Sequence, residues 1–401
     1  MKTIVILADG MADYPIDKLN GKTPLMAAHT PAIDRLCARS RCGRLVTVPD
    51  DMPPGSEVAN LAVLGYDAKA VYQGRGVLEA ASIGVELAAD DLAMRCNIIC
   101  IENDKIKNHS AGHISSEESL RLIEALNQEL AAPNIRFHPG FSYRHLLVIK
   151  DGKNDFECTP PHDVPGTLFR EVLPRPKGKS SKTAGLLTDL IIRSQTILSS
   201  HPVNVRRRAQ GKDMGNSIWP WSPGHRPQMK TFQELYGLRG AVISAVDLIF
   251  GLGVYAGFKP IKVPGATGLF DTNYEGKAQA ACQALRDFDF VFLHIEASDE
   301  AGHEGNAELK VGTIQALDQR IIKPIVECTA AMKEPVTIAL LPDHATPCAV
   351  RTHTRDAVPF LICRPGEEPD PISEFNEETC KKGSYGLLHG AEFMKALLRL
   401  A

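Results

Sequence analysis

No stretch of this sequence reaches the roughly 18–20 consecutive apolar residues that a membrane-spanning helix needs. The closest, residues 241–258 (AVISAVDLIFGLGVYAGF), is interrupted by Asp247 and by glycines. The opening residues enter a strand pattern at once, with one lysine and an aspartate at position 9, which is not the charged, apolar, small-residue order of a signal peptide. Charge of one sign is also missing. Against 45 Lys and Arg stand 48 Asp and Glu, a formal net charge of −3, which leaves no footprint for nucleic acid or an anionic membrane. The ten cysteines include no C-x-x-C pair and no dense framework, so they read as reduced core thiols of a cytoplasmic protein. There is no G-x-x-x-x-G-K-[ST] loop, and the nearest glycine string, GLGVYAG at 251–257, misses the G-x-G-x-x-G spacing. Internal repeats and low-complexity tails are absent. The expectation is a soluble, cytoplasmic protein whose partner is a small molecule; the oligomeric state is not legible.

What is present is enough apolar content (44%) in 401 residues for two domains. Residues 2–8 (KTIVILA), 289–295 (DFVFLHI) and 335–341 (PVTIALL) are short apolar runs bounded by turn signals, the pattern of buried parallel strands. Helix and strand patterns alternate from 1 to about 70, with Thr30-Pro31 opening a helix. They resume near 239 with a helix over AVISAVDLIFGLG, a strand near 260–263, a helix over EGKAQAACQALRD, and a long helix over 306–331 in which Pro324 predicts a kink. A last strand at 357–363 and a helix at 388–400 complete this part. The fold class expected is α/β, a doubly wound core interrupted by a smaller α+β domain, with the core at 1–72 and 226–401 and the insertion at 73–225. Inside the insertion, 92–107 reads as two strands about an Asn103-Asp104 turn, 116–130 as a helix and 134–149 as two more strands. Residues 159–183 read as a loop or hinge and 201–228 as irregular chain.

The chemistry lies where the strands of the core end. Asp9 follows the first run, Asp299 and His303 (DEAGH) the second, and Asp343-His344 the third, with His353 in the loop beyond. In an open α/β sheet, ligands gather beyond the carboxyl ends of the strands, so residues far apart in sequence converge. Mixed Asp and His ligation suits Mn²⁺, Zn²⁺, Co²⁺ or Mg²⁺, and the oxygen-rich set leans toward Mn²⁺. Two ions about 4 Å apart clamp the attacking and leaving oxygens of a phosphoryl displacement and lower the pKa of a nucleophilic hydroxyl. Ser56, in PPGSEVAN ahead of an apolar helical stretch, supplies that hydroxyl at an expected N-cap, where the positive end of a helix favours a phosphate. Singly, each residue has an ordinary reading as cap, turn aspartate or solvated pair. Their convergence at successive strand ends carries the inference.

These motifs, together with Asp9-Gly10-Met11, PPGSEVANLAVLGYD (53–67), VPGATG…DT…GKA (263–278), EASDEAGHEGN (296–306) and LLPDHATP…RTHT…VPF (340–360), resemble the archaeal-type cofactor-independent phosphoglycerate mutases of the alkaline phosphatase superfamily. The resemblance runs nearly end to end. It implies interconversion of 3-phosphoglycerate and 2-phosphoglycerate in glycolysis and gluconeogenesis, through a phosphoserine at Ser56 and without bisphosphoglycerate. It also implies one metal held by Asp9, Asp343, His344 and Ser56 and a second by Asp299, His303 and His353. In the insertion it implies substrate contacts from His113 (in NHSAGHIS), Arg144, His162, Asp163, Arg207 and Lys212, which suits a substrate carrying both a phosphate and a carboxylate. The neighbouring Arg206 and Arg208 read as a solvated basic face. Two departures stand out: Ala12 and Ser222, the latter in WPWSPG, each where glycine is expected.

The competing readings are a homoserine-kinase-like phosphotransferase using the same core, a metal-dependent phosphomonoesterase in which water takes the phosphoryl group, and a degenerate binding module. The absent nucleotide loop weighs against the first. The insertion weighs against the second, because a transferase must keep water from the phosphoryl group. The unbroken seven-residue set weighs against the third.

Overall fold

A computed structural model describes residues 2–400, which divide into one compact unit of residues 2–72 and 229–400 and another of residues 73–228. The first is built on an eight-stranded sheet in the order Lys259–Ile261, Gly240–Ile243, Phe290–Ile295, Lys2–Ala8, Val336–Leu341, Val358–Cys363, Arg41–Val46, Gly386–His389. Lys2–Ala8 lies at the centre, parallel to both neighbours, with Ile4 opposite Val291 on one side and Ile338 on the other. These strands are buried along their length, which is why they read as continuous apolar runs rather than alternating ones. Only Val358–Cys363 runs antiparallel to its neighbours. The core includes Ile4, Ile6, Val291, Leu293, Ile338 and Leu340 from these strands, packed against Ile314, Leu317 and Ile321.

The second unit is a five-stranded antiparallel sheet. Leu92–Glu102 pairs with Lys105–Asn108, Arg144–Ile149 and Ser217–His225, and Arg144–Ile149 pairs with Ile135–Phe141. The helices Ser116–Leu130 and Lys182–Ser199 supply Leu122, Leu126, Leu187 and Ile191 to its core. The hairpin at Asn103-Asp104 has left-handed backbone at both residues (φ 51 and 60), the conformation that two-residue hairpins require and that Asn and Asp tolerate.

Several expectations need correction. AVISAVDLIFGLG is not one helix: Gly240–Ile243 is a strand and Asp247–Tyr255 the helix that returns over it. Val242 and Ile243 are fully buried, and this apolar segment fits the slot between two parallel neighbours. Residues 201–228 are not irregular. Pro202 starts a helix to Ala209, its first turn capped by the His201 side chain, and Ser217–His225 is a strand. That strand pairs only with Leu92–Glu102, so Pro220 and Pro223 sit on an edge, where proline is tolerated. Ser222 has φ 52, so the position where glycine was expected does demand left-handed backbone. The 306–331 helix breaks as predicted, into Ala307–Leu317 and Lys323–Ala330 joined by a π-turn at Asp318–Ile322 just ahead of Pro324. The C-terminal helix is shorter, Glu392–Leu398, and follows an unforeseen strand, Gly386–His389.

The cysteines are not all reduced. Cys282 and Cys328, on two packed helices with Cα atoms 6.4 Å apart, form a disulfide, while eight others are free thiols. A pairing across 46 residues leaves no local pattern to read. Among the described residues, no helix is long and apolar enough to cross a membrane.

Candidate metal and nucleophile site

The seven core residues converge at the carboxyl edge of the parallel strands. Asp9 follows Lys2–Ala8 directly, and its N–H donates to Ile295 O (2.9 Å) on the neighbouring strand. Asp343 and His344 follow Val336–Leu341. Asp299 and His303 lie four apart on the helix Ala297–Glu304, a spacing that puts them on one face. Ser56 is the first residue of the helix Ser56–Val63, and the N-cap is Gly55. That corrects the N-cap expectation by one position. Ser56 still stands at the positive end of the helix, and its Oγ is in hydrogen-bond contact with His344 Nε2 at 3.1 Å.

Gly10 makes the convergence sterically possible. Its φ is +61, and a Cβ there would fall 2.6 Å from Asp299 Oδ1 and 2.7 Å from Thr346 Oγ1, so no other residue type can bring the two loops this close.

Around His344 the distances are short. Its Nε2 lies 3.6 Å from Asp9 Oδ1 and 3.4 Å from Asp343 Oδ2, and its ring stacks on His353 at 3.9 Å. His303 Nε2 is 3.2 Å from Asp299 Oδ2 and 3.0 Å from His353 Nε2, which lies 3.5 Å from Asp299 Oδ1. Three groups offer ligand atoms within 4.8 Å of one another: Asp9, Asp343 and His344; Asp299, His344 and His353; and Asp9, His294 and Glu296. His344 therefore belongs to two of them, where the sequence reading gave it to one.

The electrostatics favour a cation. Asp9, Asp299 and Asp343 are each at most 4% exposed. Burial, then repulsion from Asp343 and Asp299, pushes the Asp9 carboxyl well above its usual range. Burial and Asp299 push Glu296 up to about 8. Burial would also raise Asp299, but hydrogen bonds from His303 and His353 outweigh it and hold that carboxyl well below its usual range. The hydrogen bond to Asp299 in turn pushes His303 up to about 9. Asp9 Oδ1 is buried with no hydrogen-bond partner, a costly state for a carboxylate oxygen. Carboxylates and imidazoles around such an oxygen are the donor set of a divalent cation.

Residues that the sequence reading missed complete the site. Asn60, fully buried, donates through Nδ2 to Ser56 O (2.8 Å) and Asp343 Oδ2 (2.9 Å); its spacing four residues after Ser56 was a readable signal. His294 Nε2 lies 2.8 Å from Asp9 Oδ2 and its Nδ1 3.2 Å from Ser244 Oγ. Thr346 Oγ1 donates to Asp299 Oδ1 and lies 3.2 Å from His344 Nδ1. Lys277, fully buried, donates to His294 O (3.3 Å), and burial lowers it to about 8. Nothing local in the sequence separates Lys277 from a surface lysine.

In the 73–228 unit, the expected substrate residues fall into two networks. His162 meets Trp221 edge-on at 5.2 Å and His109 at 6.0 Å, His109 meets Tyr143 at 5.6 Å, and the Arg144 guanidinium lies 5.5 Å from the Tyr143 ring. Asp163 is exposed beside His162 at 3.5 Å. His113 is exposed and ends a run of left-handed residues, Ala111, Gly112 and His113 (φ 49, 63 and 52). Arg207 holds that run. Its guanidinium donates to Ala111 O (2.7 Å), Asp213 O (2.7 Å) and Glu118 Oε2 (2.6 Å) and is 3% exposed. Arg207 thus braces the loop that carries His113. Lys212 is exposed, its backbone N–H on Arg207 O (2.9 Å), and Arg206 and Arg208 are exposed as expected.

Fold and site together define a doubly wound α/β protein with a serine at a helix N-terminus facing a buried carboxylate and imidazole cluster. Known proteins agree. The model of the 2,3-bisphosphoglycerate-independent phosphoglycerate mutase family matches residues 37–204. A 2,3-bisphosphoglycerate-independent phosphoglycerate mutase of Methanosarcina acetivorans is 52% identical over 100% of both chains. Among solved structures, a protein from Pyrococcus horikoshii superimposes with a TM-score of 0.85 at 31% identity, covering 100% of this chain and 98% of that one. The cofactor-independent phosphoglycerate mutase of Thermoplasma acidophilum does so with a TM-score of 0.72 at 27% identity over 100% of both. The chain belongs to the 2,3-bisphosphoglycerate-independent phosphoglycerate mutases.

Proposed function

We propose that this protein interconverts 3-phosphoglycerate and 2-phosphoglycerate without bisphosphoglycerate, through a phosphoserine at Ser56. The observation that carries the reading is the 3.1 Å contact of Ser56 Oγ with His344, one of the imidazoles of the carboxylate-rich cluster, in a chain whose full-length relatives bear that enzyme's name. Ser56 Oγ attacks phosphorus, the bond from phosphorus to the glycerate oxygen breaks, and the departing oxygen takes a proton. The other glycerate hydroxyl then attacks the phosphoserine and frees Ser56. Ser56 is the first residue of the Ser56–Val63 helix, and the positive end of the helix dipole favours the charge of a phosphate held there.

Two divalent ions, one on Asp9, Asp343 and His344 with Ser56 and the other on Asp299, His303 and His353, would acidify the serine hydroxyl and offset charge on the transferring oxygens. The oxygen-rich set favours Mn²⁺, and Zn²⁺, Co²⁺ or Mg²⁺ suit the same donors. The 73–228 unit serves as the substrate-recognition domain, with Arg144, His162, Asp163, His113 and Lys212 for the glycerate carboxylate and hydroxyls and Arg207 bracing the loop of His113. The balanced charge and the glycolytic reaction support a cytoplasmic location.

The test supplies 3-phosphoglycerate and Mn²⁺ without bisphosphoglycerate, couples 2-phosphoglycerate to enolase, and searches by mass spectrometry for a phosphopeptide containing Ser56. Release of free phosphate without 2-phosphoglycerate would overturn the mutase reading in favour of hydrolysis. Phosphorylation of homoserine by a nucleotide would overturn it in favour of a kinase.

A further inference from the structure

We propose that Lys310 is a positioning residue that fastens the two ligand-bearing loops to one another and so sets the geometry of the ion-binding cluster. The proposal rests on reading that cluster as an ion site. Lys310 lies on the helix Ala307–Leu317 and is 0% exposed. Its ammonium donates to Ala12 O (3.1 Å), Asp13 Oδ2 (2.8 Å) and Thr346 O (2.9 Å). Three acceptors exhaust the three donors of an ammonium.

Two of those acceptors belong to the loop that begins at Asp9 and one to the loop that begins at Asp343. The loops touch directly as well, with Thr346 N–H donating to Ala12 O (3.3 Å) and Cys348 N–H to Asp13 Oδ2 (3.1 Å). Thr346 is the pivot. Its carbonyl is held by Lys310, while its hydroxyl donates to Asp299 and lies 3.2 Å from His344 Nδ1. The helix carrying Asp299 presses on the same residue: a Cβ on Gly302 would fall 2.2 Å from Thr346 O. A shift of Thr346 therefore moves His344 and Asp299 together, and with them ligands of both ions. Asp13 Oδ2 pairs with Lys310 Nζ at 2.8 Å with both side chains fully buried, so neither group can be removed without leaving the other unpartnered in the interior.

The probe is Mn²⁺ itself, titrated into the chelator-stripped full-length chain and followed by equilibrium dialysis and by the electron paramagnetic resonance signal of the coupled ion pair. In folded Lys310→Met, Mn²⁺ affinity is expected to fall by about 10–100-fold and the pair signal to change. Should the unpaired Asp13 prevent folding, the double variant Asp13→Asn with Lys310→Met is neutral throughout and carries the same expectation. The control is Asp318→Ala, which removes an acceptor for Ala32 N–H (2.9 Å) and Ile33 N–H (2.7 Å). It should lower Tm and leave Mn²⁺ affinity alone.

Wild-type affinity and signal in a folded Lys310 variant would overturn the proposal. So would an equal loss of affinity in Asp318→Ala, or a failure of both Lys310 variants to fold, each of which assigns Lys310 a general structural role. A wild-type chain that takes up no Mn²⁺, Zn²⁺ or Co²⁺ would instead overturn the ion site beneath the proposal, a result distinguishable from the others.

Discussion

Ser56 Oγ and His344 Nε2 lie 3.1 Å apart across 288 residues of sequence. The serine comes from a helix N-terminus and the histidine from the end of a central strand, so the contact depends on the whole of the 2–72 and 229–400 unit being assembled. Ser56→Ala removes the hydroxyl oxygen that would form the phosphoester. Turnover is expected to fall by more than about a thousandfold, with Tm nearly unchanged because the side chain is only partly buried. Substantial turnover in that variant, measured with the enolase-coupled assay, would sink the covalent route.

Asn60 ties the nucleophile's helix to Asp343 through one amide that donates to Ser56 O (2.8 Å) and Asp343 Oδ2 (2.9 Å). Asn60→Ala leaves a buried carboxylate oxygen with one donor fewer and frees the first turn of the helix. By analogy with residues that orient metal ligands, kcat should drop roughly 10–100-fold while KM for 3-phosphoglycerate changes little. An unchanged kcat would reduce Asn60 to a packing residue.

These two residues show why part of the site was legible. Asp9, Asp299 and Asp343 each follow an apolar run, so a strand-end rule found them without any knowledge of the fold, and Asn60 could have been found from helix spacing alone. Lys277 and Lys310 could not. Each sits in an ordinary helical pattern, and only the packed structure reveals that their ammonium groups are fully buried on backbone carbonyls. The mistaken helix over 241–253 has a related cause: a four-residue buried strand and a helix turn share the same apolar letters, and tertiary pairing decided between them. The ion pair of Arg207 with Glu118, 89 residues away, likewise leaves no local signal in the sequence.

Removing metal should weaken the core unit. Asp9, Asp299 and Asp343 are buried close together, with half-buried Glu296 beside Asp9, and a cation that binds only the folded arrangement stabilises it by about 4 kcal/mol at a free concentration a thousandfold above Kd. Thermal unfolding of the chelator-treated protein is expected at lower temperature, rising again with added Mn²⁺. Asp343→Ala, which takes away a ligand carboxylate, should show little of that rise. A Tm indifferent to Mn²⁺ in the wild-type protein would contradict the ion-binding reading.

The 73–228 unit carries its own pH dependence. His145 is 2% exposed, its Nδ1 accepts the Gly140 N–H at 3.0 Å, and burial depresses it to about 4. An unfolded histidine titrates near pH 6.5, so between these values the unfolded chain binds the proton more readily than the folded one. Stability is then fully present above pH 6.5 and lost as pH falls toward 4, by about 3 kcal/mol in all. Both tryptophans of the chain, Trp219 and Trp221, lie in this unit, so tryptophan fluorescence during denaturant unfolding reports on it alone. His145→Asn keeps an acceptor near the Nδ1 position and removes the titrating group. Its denaturation midpoint should therefore fall less than that of the wild type between pH 7 and pH 5, and parallel declines would assign the acid sensitivity elsewhere.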